Sequence, residues 1–327
     1  MSTLSFCVAD VGFTLNFTDI PDARYLLPSY APFFVKSLSN DERIMNMIVG
    51  NDCETYSSEN EFVGDFDCGD SFYIISKDSN GEYKILISNL QREPACALRA
   101  NADFSKCKAT LFGDESMQRF GLGNAIMVAF AFSAAKYGIL LMHASVTENK
   151  GFAYLFLGKS GTGKSTHSSL WLKYIANSEL LNDDNPAVRS YPDGRIIVYG
   201  TPWSGKTPCY RNKSLPVGAF VRLQQHPQNE IQEEPKIKAF ASILSSCSTM
   251  IWDKKSYDAI LSNISNVVKQ VPVYFLRCRA DKEAAQLCYK TIALNTNSAN
   301  IFSLIICLAC DLTKLLLILF IILSSFG

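Results

Sequence analysis

The sequence predicts an α/β fold preceded by a β-rich N-terminal region, and three observations carry that prediction. A complete glycine-rich phosphate-binding motif at 158–165 lies between an apolar run and a segment with helical spacing of apolar residues. Short apolar runs with turn signals between them fill the region before it. At 327 residues, the chain is long enough for two domains. We expect a β-rich region over 1–115, a connecting helix over 116–137, an α/β domain over 138–295 and an apolar tail over 296–327.

The N-terminal region has the pattern of antiparallel strands. Residues 72–75 and 83–87 are short strand-like runs, and an Asn-Gly pair between them is a hairpin-turn signal. Residues 95–98 and 109–112 are candidates for further strands. No chemistry is evident here, which leaves three roles open: substrate recognition, assembly, or a cover for the core sheet.

The rest of the chain alternates helical and strand patterns. Residues 115–137 carry apolar side chains suited to a mostly buried helix, despite two glycines. Residues 138–146 are typical of a strand that ends in polar residues, and 239–265 is largely helical in pattern. The remaining predicted strands cover 195–199, 215–223 and 271–276.

The motif at 158–165 is the most specific feature of the chain. The run before it, 152–157, is typical of a buried strand, and 166–175 is typical of a helix. The glycines let backbone N–H groups turn towards a polyphosphate, which the helix N-terminus also attracts. Lys164 can reach the β- and γ-phosphates, and the Ser165 hydroxyl can bind Mg²⁺. The predicted nucleotide-binding residues are Gly158, Lys159, Ser160, Gly161, Thr162, Gly163, Lys164, Ser165 and Thr166.

Two adjacent aspartates, Asp183 and Asp184, follow an apolar strand end. In phosphate-loop proteins a nearby strand delivers an acidic residue to the Mg²⁺. Neighbouring residues on an extended chain point to opposite sides. One carboxylate can therefore hold the metal while the other accepts a proton from an attacking hydroxyl. A solvated turn before Pro186 is the structural alternative.

Four other polar residues are candidates whose roles the residues alone leave open. His143 would lie close to bound phosphates if its strand had a parallel neighbour, although a lone histidine is equally compatible with a structural role. His167 is expected to cap or pack the helix. Lys206 and Arg211 either neutralise a γ-phosphate or an acidic substrate, or are ordinary surface charges.

Three of these segments together resemble the bacterial HPr serine kinase/phosphorylase family. The run that ends at His143, the loop 158–165 and the aspartate pair at 183–184 occur in the order that this family shows. The same order is similar to the nucleotide site of ATP-dependent phosphoenolpyruvate carboxykinase, a related fold. The resemblance covers about residues 138–225, and the loop and the aspartate pair are its specific parts.

The resemblance implies a P-loop kinase core that uses ATP and Mg²⁺. It assigns Asp184 as the catalytic acid/base, Asp183 to Mg²⁺, and His143 to the support of phosphoryl transfer. Lys164 of the glycine-rich motif is also expected to be catalytic, because it holds the phosphates. The family's Glu-x-Arg-Gly-Leu-Gly segment has no counterpart in the corresponding stretch, 198–206. We therefore expect kinase chemistry, and leave a phosphorylase reaction and recognition of HPr open.

The expected activity is an ATP- and Mg²⁺-dependent kinase that transfers the γ-phosphoryl group to a hydroxyl. The acceptor is unidentified; serine is favoured, on a protein, a peptide or a small molecule. One alternative is a nucleotide-binding regulatory module that transfers nothing. Another is a phosphoenolpyruvate carboxykinase-like enzyme, which ranks well below the kinase. That chemistry would want a transition-metal site with His and Lys ligands and several arginines, whereas the chain has three histidines and no obvious arginine cluster. HPr kinases form hexamers, so a homo-oligomer is also considered.

Composition limits the expected partners and compartment. The 31 basic and 31 acidic residues balance, so nucleic acid is not an expected partner. The eleven cysteines are scattered and the first residues lack a secretory pattern, which favours a cytoplasmic protein with reduced thiols. Asp311 and Lys314 interrupt the apolar stretch at 301–327. We favour a buried C-terminal helix there over a membrane anchor through 301–323 or a tail foreign to the domain.

Overall fold

The computed structural model describes residues 2–50, 61–69, 71–205 and 207–293. Within these ranges the chain is an α/β protein built on two large mixed sheets. The predictions for the tail over 296–327 and for Lys206 lie outside the described residues. In the part of the chain that is described, no helix combines the length and the apolar character needed to cross a bilayer.

The first sheet contains nine of the described strands, in the order β3-β1-β2-β4-β9-β8-β7-β6-β5. Its strands are β1 Ser2–Val8, β2 Val11–Phe17, β3 Phe34–Val35, β4 Arg43–Gly50, β5 Glu61–Asp67, β6 Phe72–Lys77, β7 Tyr83–Ser88, β8 Pro94–Ala100 and β9 Lys106–Leu111. The β2–β4 and β4–β9 pairs are parallel and the other pairs are antiparallel. The hairpin predicted at 72–75 and 83–87 is confirmed by β6 and β7. Two short 3-10 helices, Arg24–Leu26 and Pro28–Phe33, follow β2.

Helix α1, Glu115–Ala134, packs across this sheet and confirms the predicted buried helix. Its N-terminus is capped by Asp114, whose carboxylate accepts a hydrogen bond from the Met117 backbone N–H at 2.9 Å. Gly121 is needed for the close contact with β8, because a Cβ there would lie 2.5 Å from the carbonyl oxygen of Ala95. A 3-10 turn, Ala135–Tyr137, then leads into the second sheet.

The second sheet also has nine described strands, and β16 joins its two parts. Its strands are β10 Ile139–Leu141, β11 Ala144–Asn149, β12 Phe152–Leu157, β13 Ser178–Asp184, β14 Ala187–Ser190, β15 Ile196–Tyr199, β16 Ser214–Gln225, β17 Glu230–Glu233 and β18 Val273–Cys278. The beginning of β16 pairs with β15 and its end with β18, while β12 pairs along the opposite edge. The remaining helices are α2 Lys164–Tyr174, α3 Lys236–Leu244, α4 Lys254–Gln270 and α5 over 282–293.

Helices cover both faces of the second sheet because its central strands are apolar on both sides. Successive side chains of a strand point to opposite faces. Tyr154 and Phe156 of β12 pack in one cluster with Trp171 of α2 and with α5. Leu155 of β12 packs in the other cluster, which contains residues of α3 and α4. The helical prediction over 239–265 is confirmed by α3 and α4, with a break between them.

The strand predicted over 138–146 is broken at Met142 and His143 into β10 and β11. Strand β11 is antiparallel to both β12 and β13, so the parallel neighbour considered for His143 is wrong. His143 precedes the first residue of β11, Ala144, which pairs with Leu157 and Asp184. The antiparallel register therefore brings His143 to the carboxyl ends of β12 and β13.

The two sheets are joined by buried and partly buried aromatic and polar contacts. The indole N–H of Trp203 donates to the Tyr30 hydroxyl at 2.7 Å, and the two rings are 6.2 Å apart in an edge-on arrangement. Arg189 donates to the Ala9 carbonyl oxygen at 2.7 Å, and the Tyr199 hydroxyl donates to the Asp10 carboxylate at 2.5 Å. Burial raises the pKa of Tyr30, so its hydroxyl stays protonated. These contacts place the 201–205 segment at the junction between the two sheets.

Candidate functional site

Residues 158–165, called the glycine loop below, connect the buried strand β12 to helix α2. Gly158, Gly161 and Gly163 have φ angles of 149°, 80° and 99°, a region that side chains with a Cβ rarely adopt. A Cβ at Gly158 would also lie 2.5 Å from the Thr162 hydroxyl oxygen. The glycines therefore permit a tight turn at the N-terminus of α2, where free backbone N–H groups favour an anion.

Lys164 is the first residue of α2 and is 8% exposed. Its Nζ donates to the carbonyl oxygens of Gly158 at 3.0 Å and Lys159 at 3.4 Å. Burial lowers the pKa of Lys164, while the charges of Asp184 and Asp183 act in the opposite direction. The ammonium group thus lies inside the glycine loop, within the field of both aspartates.

Buried polar contacts and aromatic packing hold helix α2 in place. His167 is 3% exposed, and its Nε2 accepts a hydrogen bond from the Trp171 indole N–H at 3.2 Å. Burial lowers the pKa of His167 to about 4, so the imidazole is neutral near neutral pH. Ser168 shares a 2.6 Å hydrogen bond with Ser145 of β11. The expectation that His167 packs the helix is confirmed by these contacts.

Asp183 and Asp184 are the last two residues of β13. Asp183 is 3% exposed, and none of the described residues donates a hydrogen bond to its carboxylate. Its backbone carbonyl accepts hydrogen bonds from the Gly205 N–H at 2.5 Å and the Ser204 hydroxyl at 3.2 Å. A buried carboxylate with this environment favours a cation as its partner.

Asp184 adopts an unusual backbone conformation, with φ at 153°. Such conformations are costly for residues other than glycine and cluster at functional sites. One carboxylate oxygen of Asp184 accepts a hydrogen bond from the Asn185 amide at 2.8 Å. The other lies 3.3 Å from the His143 Nε2, and both side chains are partly open to solvent, at 46% for His143 and 34% for Asp184. This pair is therefore oriented by the protein and accessible to a ligand.

The glycine loop, the two aspartates and His143 meet at one edge of the second sheet, at the carboxyl ends of β12 and β13. Arg211 does not join them. It forms an ion pair with Glu179 at 2.8 Å, near the start of β13 and thus at the opposite end of that strand from Asp184.

Two cavities lined by described residues open beside this edge. The smaller one, called the loop cavity, has a volume of about 600 Å³ and continues from the glycine loop and α2 towards the ends of β16 and β18. Its polar lining includes Gln225, whose amide donates to the Gly161 carbonyl at 3.2 Å, together with His226 and Arg279. Sequence reasoning missed these three residues. The signal that could have identified them is the rule that the carboxyl ends of parallel strands meet at the same end of a sheet. Its use requires knowing that β16 pairs with both β12 and β18.

The larger cavity, called the junction cavity, has a volume of about 980 Å³ and lies between the first sheet, α1 and the second sheet. His143 and Asp184 belong to its lining, as does Trp203. The sequence of the N-terminal region shows no evident chemistry, and it does not predict this space because the walls come from segments far apart in the chain.

The chain matches a protein-family model. The family model for SynChlorMet cassette protein ScmC matches residues 106–283, which is more than half of the chain. The chain belongs to the ScmC family. The segment matched to ScmC runs from β9 to the start of α5 and includes α1, the glycine loop and both aspartates. No curated protein matches the sequence.

Proposed function

We propose that this protein is an ATP- and Mg²⁺-dependent kinase of the HPr serine kinase type, with a P-loop kinase core, that transfers the γ-phosphoryl group to a hydroxyl. The observation that carries the proposal is the convergence of the glycine loop, Asp183, Asp184 and His143 at one sheet edge. An anion site beside a carboxylate that is accessible to solvent is the arrangement that phosphoryl transfer to a hydroxyl requires.

In this proposal the glycine loop and Lys164 hold the triphosphate. The backbone N–H groups at the start of α2 bind the phosphate oxygens, and Lys164 exchanges its loop carbonyl partners for the β- and γ-phosphates. The loop cavity next to Thr162 and Thr166 receives the nucleoside, with Gln225 and Arg279 as polar contacts. Its volume of about 600 Å³ is within the usual range for small-ligand pockets.

The residues present fit a magnesium ion. Asp183 supplies a buried carboxylate with no hydrogen-bond donor among the described residues, and the Ser165 hydroxyl is exposed in the first turn of α2. Within the described ranges, no group of three or more His, Cys, Asp and Glu side chains is arranged so that it could hold a metal ion by itself. Mg²⁺ is usually bound by one or two carboxylates together with substrate phosphates, so Asp183 and Ser165 suffice. The ion supplies charge neutralisation at the transferring phosphate.

Asp184 acts as the base and His143 supports it. Asp184 accepts the proton of the attacking hydroxyl as the new oxygen–phosphorus bond forms and the bond to the leaving ADP oxygen breaks. His143 lies 3.3 Å from the Asp184 carboxylate and Asn185 holds the other oxygen at 2.8 Å, which restricts the rotation of the base. Catalysis is then a matter of positioning and charge neutralisation.

The test is the transfer of label from γ-labelled ATP with Mg²⁺ into a cell extract and a panel of free amino acids. Asp184→Asn should bind ATP normally and transfer at least about a hundredfold more slowly, since general-base catalysis contributes that much. Lys164→Ala should lose most of its ATP affinity. Asp193→Asn is the matched control, because Asp193 is an exposed turn residue paired with Arg195.

Full turnover by Asp184→Asn would disprove the assignment of the base. Tight ATP binding by the wild type without any labelled acceptor would instead favour a regulatory module.

A further inference from the structure

Helix α1 presents apolar side chains in two directions. One side, including Leu122, Ala125 and Phe130, is buried against the first sheet. The opposite side faces the junction cavity with residues spaced three and four apart, which places them on one face of the helix. The residues on this face are Phe120, Gly123, Asn124, Met127, Val128 and Ala131.

The other walls of the junction cavity are also mainly apolar. Phe66 and Trp252 are stacked with their ring centres 4.9 Å apart, and Leu26 and Leu27 add aliphatic surface. Within the lining, His143 and Asp184 are the pair assigned to catalysis. The cavity thus continues from the proposed base into an apolar space of about 980 Å³, the size of a pocket for a drug-like molecule.

The polar groups on the α1 wall are already engaged within the protein. The Asn124 amide accepts a hydrogen bond from the Tyr73 hydroxyl at 2.8 Å and donates to the Phe120 carbonyl at 3.0 Å. Arg119, which also lines the cavity, forms an ion pair with Glu115 at 2.5 Å. Against the α1 wall, a ligand with many polar groups would lose hydration without gaining partners, whereas an apolar body has little hydration to lose.

We propose that the junction cavity binds the phosphoryl acceptor, and that the acceptor is a small molecule with a large apolar, aromatic or aliphatic body and one hydroxyl placed at Asp184. This inference rests on the proposed kinase function. The acceptor oxygen bonds to the γ-phosphorus, the bond between that phosphorus and the bridging oxygen breaks to release ADP, and the hydroxyl proton passes to Asp184.

The N-terminal sheet gains a role from this assignment. Its strands and the 3-10 turns after β2 contribute Leu26, Phe66 and Ile85 to the cavity, whereas the glycine loop contributes nothing to it. Substrate selection and nucleotide binding are therefore carried by different parts of the chain that meet at Asp184.

The test compares two acceptors with the same hydroxyl, N-acetyl-L-serinamide and N-(2-naphthoyl)-L-serinamide, on the full chain. Binding without ATP is measured by calorimetry, and transfer by label from γ-labelled ATP. The naphthoyl compound should bind at least about tenfold more tightly and show at least about tenfold higher kcat/KM, because burial of its rings is favourable.

Gly123→Leu supplies the structural control. A Cβ at Gly123 has no heavy atom within 4 Å, so a side chain there can extend into open space without a clash. This variant should lose at least about tenfold of its affinity for the naphthoyl compound while ATP binding is unchanged. Ser116→Leu, on the exposed start of the same helix, should behave as the wild type. Met127→Lys, which places a charge on the same face, is a second variant should Gly123→Leu fold poorly.

The outcomes separate the two proposals. If the naphthoyl compound has no advantage, or if neither cavity variant weakens its binding, the acceptor assignment is overturned even when another acceptor becomes labelled. If the full chain binds neither compound, the assignment is again overturned. Failure of the wild type to bind ATP with Mg²⁺ overturns the proposed function, and with it the role of the cavity as an acceptor site.

Discussion

Protonation of His167 should destabilise the fold in acid, and the structure gives the size of the effect. The imidazole is 3% exposed, packs against Phe156 and accepts a hydrogen bond from Trp171 through Nε2. It also lies in the first turn of α2, where the helix dipole disfavours a positive charge. Its pKa is lowered from 6.5 to about 4.

Because the folded-state pKa of His167 is lowered, its contribution to stability is fully present above pH 6.5 and is lost as the pH falls towards 4. The unfolded chain binds the proton first, so the free energy of unfolding decreases by about 1.4 kcal/mol per pH unit within that window. From these two pKa values, the loss should be about 2 kcal/mol between pH 7.5 and pH 5, and about 3 kcal/mol by pH 4.

The assay is urea unfolding of the wild type and of His167→Gln at several pH values from 7.5 to 5. Glutamine keeps an acceptor for Trp171 but does not titrate. The difference in unfolding free energy between the two proteins isolates His167 from other groups that titrate in acid. His226→Gln is the control, since that residue lies in a partly exposed turn and bonds to the Gln228 carbonyl.

A difference between wild type and His167→Gln that stays constant over this pH range would refute the reasoning. It would mean that the imidazole is as easily protonated in the folded protein as in the unfolded chain. A slope of the predicted sign that also appears for His226→Gln would point to residues other than His167 as its source.

Two further changes test the packing of the junction. Gly121→Ala should destabilise the protein by about 1–3 kcal/mol, because the new methyl group meets the backbone of β8. Gly123→Ala in the same helix should instead stabilise it by about 0.5–1 kcal/mol. Thermal unfolding measures both changes, and equal effects would contradict the packing of α1. Tyr30→Phe leaves the buried indole N–H of Trp203 without its acceptor and should cost about 1–3 kcal/mol in urea unfolding, while the exposed Tyr25→Phe should be neutral.

Local spacing predicted the elements that depend on local interactions. The β6–β7 hairpin is specified by its turn residues, and α1 by a long apolar segment. The predicted strand before the glycine loop and the predicted helix after it are confirmed as β12 and α2, and both depend on local spacing as well. In each case the signal lies within a few residues of the structure that it specifies.

Features that depend on pairing between distant segments were not predictable in this way. The break of the 138–146 segment at His143 reflects two different partners, β14 for the first part and β12 with β13 for the second. Arg211 follows a turn, as other candidate site residues do, but in the folded chain it forms an ion pair with Glu179 of β13. Neither cavity has a local signature, since each is lined by residues from several elements.

If the junction cavity and the glycine loop bind ligands as proposed, we expect the segment that begins at Trp203 to couple the two sites. The ring of Trp203 lines the junction cavity and is bonded to Tyr30, while the next two residues, Ser204 and Gly205, hold the Asp183 carbonyl beside the glycine loop. A ligand in the junction cavity that favours one arrangement of residues 203–205 would therefore also favour the matching arrangement of Asp183 and Asp184. Linkage is reciprocal, so a ligand in the cavity would change the affinity for nucleotide by the same factor by which nucleotide changes the affinity for that ligand.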